Sequence, residues 1–189
     1  MARKKTFTQD ELYQAAHDLM LEVGYDSFTF QALSQKIDVS RTALYKYYAN
    51  KDDLLQSYLG DQLEKVVDRM DSTNWPSSYP EKLSELMDLI FDYAETHLIS
   101  AEVPAQQWSG ENADEPGIIR SKELHAQFFR FIKKTIEEGQ TIGYLKKDIP
   151  SLIIIETIFH SINLPNRTGL SAKEHGFFVK KLLFEGIIK

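Results

Sequence analysis

Apolar residues recur at helical spacing along almost the whole of this 189-residue chain, and this periodicity is the feature that most limits its fold. No stretch shows the sustained two-residue alternation of a half-buried β-strand. The first apolar stripe consists of Leu12, Ala15, Ala16, Leu19, Met20 and Val23. We therefore predict an all-α protein of about nine helices.

Capping signals locate the helices of the amino-terminal part. Thr8 and Glu11 form a capping box that opens the first helix, and Gly24 is predicted to end it. Two short helices follow, from Thr29 to about Lys36 and from Ser40 to about Tyr47, with a turn at residues 37–39 between them. Asn50 then caps a long helix that runs to about Met70.

A turn-rich stretch divides the chain. Residues 71–80 (DSTNWPSSYP) contain two prolines and no helical period, so they are predicted to link two domains. We expect a small amino-terminal domain over residues 1–50, a connecting helix over 51–70 and a second domain over 71–189. In the second domain, one helix is predicted over 83–98 and a polar connection over 100–116. Further helices are predicted over 118–138, 152–164 and 172–187, the last opened by the capping box of Ser171 and Glu174.

Composition excludes several classes of protein. The chain has no cysteine, which excludes disulfides, thiolate nucleophiles and iron–sulfur clusters and fits the cytoplasm. Its longest apolar run, residues 152–155, is far shorter than the ~20 residues that span a bilayer. Because no apolar stretch follows the basic residues near the amino terminus, no signal peptide is predicted.

Charge is unevenly distributed along the chain. Residues 1–51 carry seven Lys and Arg against six Asp and Glu, whereas the remainder carries 15 against 22. A binding partner responds to the local field rather than to the net charge of −6. The amino-terminal quarter is therefore the part best suited to a polyanion, although a solvated surface explains the same charges.

The two short helices describe a helix-turn-helix module. Val39 and Leu44 are the residues that must be buried, which turns Arg41, Thr42, Tyr45 and Lys46 outward. Arg can bond a guanine twice and Thr offers a hydroxyl and a methyl group, so this face suits base edges in the major groove. Thr29 and Lys51, at the starts of the flanking helices, suit phosphates. An ordinary helical hairpin with a solvated polar face fits the pattern equally well.

Residues 12–55 resemble the DNA-binding region of the tetracycline-repressor (TetR) family of bacterial regulators. The matching positions are Ala15, Ala16, Leu19, Gly24, Thr29, Leu33, Val39, Ser40, Leu44, Tyr45, Tyr47, Tyr48, Asn50, Lys51 and Leu54. Three positions depart from the family pattern. Asp38 replaces the usual turn glycine, Ser34 replaces a small alanine, and Tyr48 adds a hydroxyl where Phe is commoner. Asp tolerates the left-handed backbone that such a turn requires.

The resemblance implies a homodimeric transcriptional regulator, a repressor released from a palindromic double-stranded DNA operator by a small, largely apolar effector. It implies that residues 1–50 are a helix-turn-helix DNA-binding domain and that residues 71–189 are a ligand-binding and dimerisation domain. The DNA contacts that it implies are Thr29, Ser40, Arg41, Thr42, Tyr45, Lys46, Tyr47 and Lys51. The effector position in the family suggests a pocket lined by Val67, Met70, Met87, Phe91, Trp108, Phe128 and Phe129. For any one of these rings, core packing is the commoner role.

Two apolar helices near the carboxyl terminus suggest an interface with a second copy. Residues 152–162 are apolar around nearly the whole helix, and the final helix is similarly rich. We expect the two to form a four-helix interface with the same helices of a partner. The predicted contacts are Ile155, Ile158, Phe159, Ile162, Phe178 and Leu182. Complete burial within one protomer is the alternative.

No motif for catalysis, metal or cofactor is found. Five histidines are scattered, and the one tempting pair, Glu156 with His160, lacks the third and fourth ligands that zinc requires. We expect no catalytic residues, no metal site and no cofactor. A helical enzyme of another kind, and a DNA-binding protein without an effector, stay open as alternatives.

Overall fold

The computed structural model describes residues 7–104 and 116–188, and within these ranges the chain forms nine helices. Their bounds are α1 (Gln9–Ser27), α2 (Phe30–Lys36), α3 (Arg41–Leu44), α4 (Lys51–Ser72), α5 (Tyr79–Asp92), α6 (Ala94–Glu102), α7 (Pro116–Ile142), α8 (Ser151–Ile162) and α9 (Ala172–Ile187). An isolated antiparallel bridge joins Leu145 to Ile188. The all-α prediction is confirmed.

Both predicted capping boxes form. The Thr8 hydroxyl accepts the Glu11 N–H at 3.2 Å, and the Glu11 carboxylate accepts the Thr8 N–H at 2.8 Å. Ser171 and Glu174 make the same exchange at the start of α9, and the hydroxyl and backbone N–H of Ser171 hold the pKa of Glu174 below its usual value. These local signals thus fix where α1 and α9 begin.

Two glycines with a positive φ interrupt or end a helix. At Gly24 the backbone turns to a φ of +72°, which kinks α1, and one further helical turn follows to Ser27. Gly143 adopts a φ of +79° directly after α7, so α7 ends at Ile142, four residues beyond the predicted end at residue 138. Both backbone conformations favour glycine because it lacks a Cβ.

The single helix predicted over residues 83–98 is wrong. The chain forms α5 and α6 instead, separated at Tyr93, whose backbone leaves the helical region (φ −102°, ψ 17°). The apolar residues on the two sides of the break serve different cores. Leu86 and Ile90 of α5 pack with the carboxyl-terminal helices, whereas Ile99 of α6 is buried among the amino-terminal helices.

The chain divides into two compact units. Unit 1 comprises Met1–Lys65 and Glu95–Lys122, and unit 2 comprises Val66–Ala94 and Glu123–Lys189. The core of unit 1 is built on α1 to α4 and includes Ile99 and Val103. Spatial packing therefore places α6 with the amino-terminal unit, whereas the predicted division at residues 50 and 71 places it in the second domain. The functional assignment of residues 1–50 and 71–189 stays a prediction.

Unit 2 is organised around α5. Its apolar face buries Leu83, Leu86, Met87 and Ile90 against α7, α8 and α9. Three ion pairs join it to its neighbours: Arg69–Asp92 with α4, Lys82–Glu138 with α7 and Lys180–Asp88 with α9. Because exposed ion pairs contribute only ~0–1 kcal/mol each, the apolar face supplies most of the stability.

Helices α5 and α7 are in close contact at Gly139. The Tyr79 hydroxyl donates to the carbonyl of Thr135 at 3.0 Å, and burial raises the pKa of Tyr79. A Cβ added to Gly139 would lie 1.9 Å from the Tyr79 Oη. Gly139 is therefore required inside α7, because any side chain there would occupy the space that the Tyr79 ring fills.

We predict that Gly139→Ala destabilises the protein by about 1–3 kcal/mol, because the new methyl group must displace a buried ring. Gly60→Ala is the matched control, since Gly60 lies inside α4 and nothing comes within 4 Å of its added Cβ. That variant should gain roughly 0.5–1 kcal/mol from helix propensity. Urea unfolding measures both, and equal stabilities for the two variants would contradict this role of Gly139.

Candidate nucleic-acid interface

Helices α2 and α3 form the predicted helix-turn-helix, and Asp38 makes the turn between them. Its φ of +55° lies in the left-handed region, as expected for the residue that replaces glycine. The turn closes when the Val39 N–H donates to the Ser34 carbonyl at 2.9 Å. Ser34 itself is buried, and its hydroxyl donates to the Gln31 carbonyl at 2.9 Å. Both departures from the family pattern are thus accommodated.

Burial of Leu44 determines which way α3 faces. Leu44 is fully buried in the core of unit 1, and Val39 packs partly buried against it. The side chains of Arg41, Thr42, Tyr45 and Lys46 are exposed as predicted. Helix α3 is shorter than predicted, however, because regular structure stops at Leu44 and residues 45–47 continue as turns.

Two tyrosines at the end of α3 are held by neighbouring rings. Tyr45 packs edge-on against Phe30 with the ring centroids 5.0 Å apart, and Tyr47 packs against Phe7 at 5.4 Å. Tyr45 is 53% exposed and Tyr47 is 69% exposed. Each ring is therefore fixed on one side while much of its surface stays open to a ligand.

The helix starts that flank α3 are capped by side chains. The Thr29 hydroxyl accepts the Ala32 N–H at 3.1 Å. The side-chain amide oxygen (Oδ1) of Asn50 accepts the N–H groups of Asp52 and Asp53. Ser40 occupies the N-cap position of α3, but its hydroxyl makes no capping bond. Thr29 thus has a defined structural role in addition to the phosphate contact predicted for it.

Lys51 is bound within the protein. Its Nζ donates to the Tyr25 carbonyl at 2.7 Å and lies 3.9 Å from the centroid of the Tyr25 ring. The Tyr25 hydroxyl in turn donates to Asp52 at 2.7 Å. The sequence pattern gave no sign of this contact between α1 and α4. The positive charge of Lys51 stays near the start of α4. Its ammonium group is already hydrogen-bonded within the protein, whereas the side chain of Lys46 is exposed.

Hydrogen bonds between aromatic and histidine side chains brace the helices behind α3. The Tyr48 hydroxyl donates to the Tyr13 hydroxyl at 3.2 Å, which supplies the partner that the extra hydroxyl needs, and burial raises the pKa of Tyr48. The Tyr58 Oη lies 2.6 Å from the His17 Nδ1. Burial raises the pKa of Tyr58 to about 12, so its hydroxyl keeps its proton at neutral pH.

The predicted effector-lining residues are placed within unit 2, except Trp108, which lies outside the described residues. Val67, Met70 and Met87 are buried, and Phe91 is half-buried. The half-buried Phe128 packs against Phe159 with the ring centroids 6.4 Å apart, and the neighbouring Phe129 is 39% exposed. These side chains are apolar, as an apolar pocket requires, but their role as a pocket stays a prediction.

The predicted dimer residues divide into two groups. Ile155, Ile158 and Ile162 are buried in the core of unit 2, as in the alternative of burial within one protomer, and their contact with a second copy stays a prediction. These residues form the face of α8 that packs inward, because a helix that is apolar all round must bury one side within its own protomer. In contrast, Phe178 is 49% exposed and Leu182 is 69% exposed. Phe159 is half-buried.

Glu156 and His160 are both exposed on α8. Among the residues that the structure describes, no group of three or more His, Asp and Glu side chains is arranged to hold a metal ion. Within the same ranges, no helix is long and apolar enough to cross a membrane.

Comparison with known proteins gives a consistent result. The model of the bacterial regulatory proteins of the tetR family matches residues 12–58. The HTH-type transcriptional regulator YdeS of Bacillus subtilis, itself uncharacterized, is 24% identical over 159 residues, which cover 82% of this chain and 76% of the relative.

Solved structures share the fold over the full length. The ketosteroid transcriptional regulator KstR2 of Mycobacterium tuberculosis superposes with a TM-score of 0.71 at 19% identity, covering 100% of both chains. The regulator FadR of Bacillus subtilis, solved in complex with stearoyl-CoA, gives a TM-score of 0.65 at 17% identity, covering 95% of this chain and 100% of that one. The matched segment 12–58 contains the whole helix-turn-helix described above. Residues 12–58 therefore carry the DNA-binding domain of the tetR family of bacterial regulatory proteins, and the chain is a DNA-binding transcriptional regulator of this kind.

Proposed function

We propose that this regulator is a cytoplasmic repressor that binds a palindromic operator as a homodimer and is released from it by a small, largely apolar effector. The observation that carries the proposal is the exposed surface at α3, where Arg41 and Thr42 of the helix and Lys46 just after it are exposed while Leu44 is buried. A helix presented in this way by a helix-turn-helix enters the major groove with its first residues against the base edges.

The side chains of this face have two roles in the proposal. Arg41 and Thr42 lie in the first turn of α3, where a recognition helix meets base edges, and they read the sequence. Lys46 and Lys51 lie beyond that turn and neutralise phosphates. Thr29, Ser40, Tyr45 and Tyr47 donate hydrogen bonds to phosphate oxygens. Because the Lys51 ammonium donates a hydrogen bond to the Tyr25 carbonyl, Lys46 is the lysine better able to reach a phosphate.

We predict that Arg41→Ala weakens binding to the operator by about 1–3 kcal/mol and relaxes the base preference at one position of each half-site. Lys46→Ala is the matched variant on the same surface. It should weaken binding to operator and random DNA evenly and lower the salt slope by about one for each phosphate that the lysine neutralised. Titration of both duplexes at several salt concentrations separates the two effects. Equal losses on operator and random DNA for Arg41→Ala would contradict the reading role.

The dimer is supported by an apolar surface on α8 and α9. We call it the α8–α9 patch, and its exposed residues are Leu152, Ile153, Phe177, Phe178 and Leu182. Large apolar groups clustered at a surface mark an interaction site. Phe177 also lines a groove whose other walls include Ser84 and Asp88 of α5, so the patch offers relief for a complementary surface. Helices paired with their own copies form a closed two-fold interface.

We predict that Leu182→Glu gives a folded monomer, because Leu182 is 69% exposed in the protomer and a charge becomes costly only when a second copy covers it. Ile142→Glu on α7 is the control, since Ile142 is similarly exposed (58%) but lies on a different helix. It should leave the dimer intact. Sedimentation at micromolar concentration measures the oligomeric state. A monomeric unmodified protein, or a dimeric Leu182→Glu variant, would contradict the proposed interface.

The effector is proposed from the apolar lining of unit 2. Val67 and Met70 lie at the carboxyl-terminal end of α4, and the amino-terminal end of the same helix belongs to unit 1. The similar structures include a regulator named for ketosteroids and one that holds stearoyl-CoA. A molecule of this apolar kind suits the side chains of Met87, Phe91 and Phe128. Release then follows if the ligand binds better to a conformation with low DNA affinity.

We predict that a long-chain acyl-CoA or a sterol weakens operator binding by about 5- to 150-fold, the usual range of coupling between two sites. Fluorescence anisotropy of labelled operator, measured while each compound is added, tests this. Glucose, a small polar molecule without an apolar body, is the control. If no apolar compound changes the affinity for operator, the regulator works without an effector of this class.

A further inference from the structure

The backbone N–H and the backbone carbonyl of Tyr25 are held by two other helices of unit 1. Its N–H donates to the Glu102 Oε2 of α6 at 3.1 Å, and its carbonyl accepts the Lys51 Nζ of α4 at 2.7 Å. Tyr25 directly follows the kink at Gly24, where a Cβ would lie 3.3 Å from the same Glu102 oxygen. The chain thus leaves the main part of α1 in a direction fixed from both sides.

This exit leads directly to the DNA-binding helices. Phe28 is fully buried, and its N–H bonds the carbonyls of Gly24 and Tyr25 at 3.1 and 3.3 Å. The next residue, Thr29, caps α2, which packs against α3. A displacement at Tyr25 is therefore transmitted through three residues to the start of the helix-turn-helix.

Helix α6 meets α1 through two carboxylates on one face. Glu95 and Glu102 are seven residues apart, two helical turns, and the buried Ile99 lies between them. The Glu95 Oε2 lies 3.2 Å from the His17 Nε2, a contact with a side chain. Glu102 instead accepts a backbone N–H beside the kink. Of these two contacts, it is thus the one made with the main chain of α1.

We propose that Glu102 is a positioning residue for DNA recognition. By accepting the Tyr25 N–H it holds the exit from α1, and through Phe28 and Thr29 it holds the orientation of α2 and α3. The inference rests on the DNA-binding role of the chain and not on the proposed effector or on the dimer interface. It gives α6 a direct part in setting operator affinity.

The test compares Glu102→Gln with Glu102→Met in the full-length protein. Both variants remove the charge and keep the length of the side chain, but only Gln retains an oxygen that accepts the Tyr25 N–H. The probe is a duplex selected by the unmodified protein from a random-sequence pool. We expect Glu102→Met to bind it about fivefold more weakly than Glu102→Gln, the usual effect of removing one hydrogen bond. Affinity for random DNA should be the same in the two variants.

Hydrogen exchange at the Tyr25 amide supplies a second readout, and it should quicken in Glu102→Met alone. Glu95→Ala is the control on the same helix, and it should leave that amide protected. Equal operator affinities for Glu102→Gln and Glu102→Met would overturn the proposal. So would an equal loss in Glu95→Ala, since this would assign the effect to the docking of α6 as a whole. Failure to select any duplex would instead contradict the DNA-binding role itself.

Discussion

Burial of Leu44 is the constraint on which the DNA-binding surface depends. Helix α3 has four residues, too few to be stable in isolation, so its orientation comes from the packing of this one side chain. Leu44 is fully buried with Leu33 and Leu54, which belong to the preceding and following helices. With Leu44 buried, Thr42 lies on about the opposite side of α3, and the side chains of Arg41 and Thr42 are both exposed. The recognition surface is thus a consequence of the core of unit 1.

The core of unit 1 includes a helix from the middle of the chain. Ile99 and Val103 are buried among the residues of α1 to α4, and Glu95 and Glu102 bond α1 from the same helix. Helix α6 follows α5 after a single residue, and α5 belongs to unit 2. Tyr93 therefore joins a helix of unit 2 directly to the helix whose Glu102 bonds the Tyr25 N–H. This arrangement gives a regulator a covalent path from its second unit to its DNA-binding helices.

Local signals allowed much of this structure to be predicted from the sequence. The capping boxes at Thr8 and Ser171, the left-handed turn at Asp38 and the burial of Leu44 each depend on a few neighbouring residues. The break at Tyr93 was not predictable in this way, because apolar residues continue at helical spacing through residues 83–98 although the two halves serve different cores.

Contacts distant in sequence explain the remaining differences. The all-round apolar pattern of α8 does not indicate which face packs at home, and Ile155, Ile158 and Ile162 proved to be core residues while Leu152 and Ile153 are exposed. The bond from Lys51 to the Tyr25 carbonyl joins residues 26 positions apart, and the one from Glu102 to the Tyr25 N–H joins residues 77 positions apart. Neither leaves a periodic trace in the sequence.

The central claim is that α3 reads base edges in the major groove on both halves of a symmetric site. Methylation protection with dimethyl sulfate on a bound operator tests it most directly, because guanine N7 lies in the major groove and adenine N3 in the minor groove. We expect protected guanine N7 atoms in two major grooves about one helical turn, ~34 Å, apart on one face of the duplex. Protection of adenine N3 alone, or of a single groove, would contradict the claim.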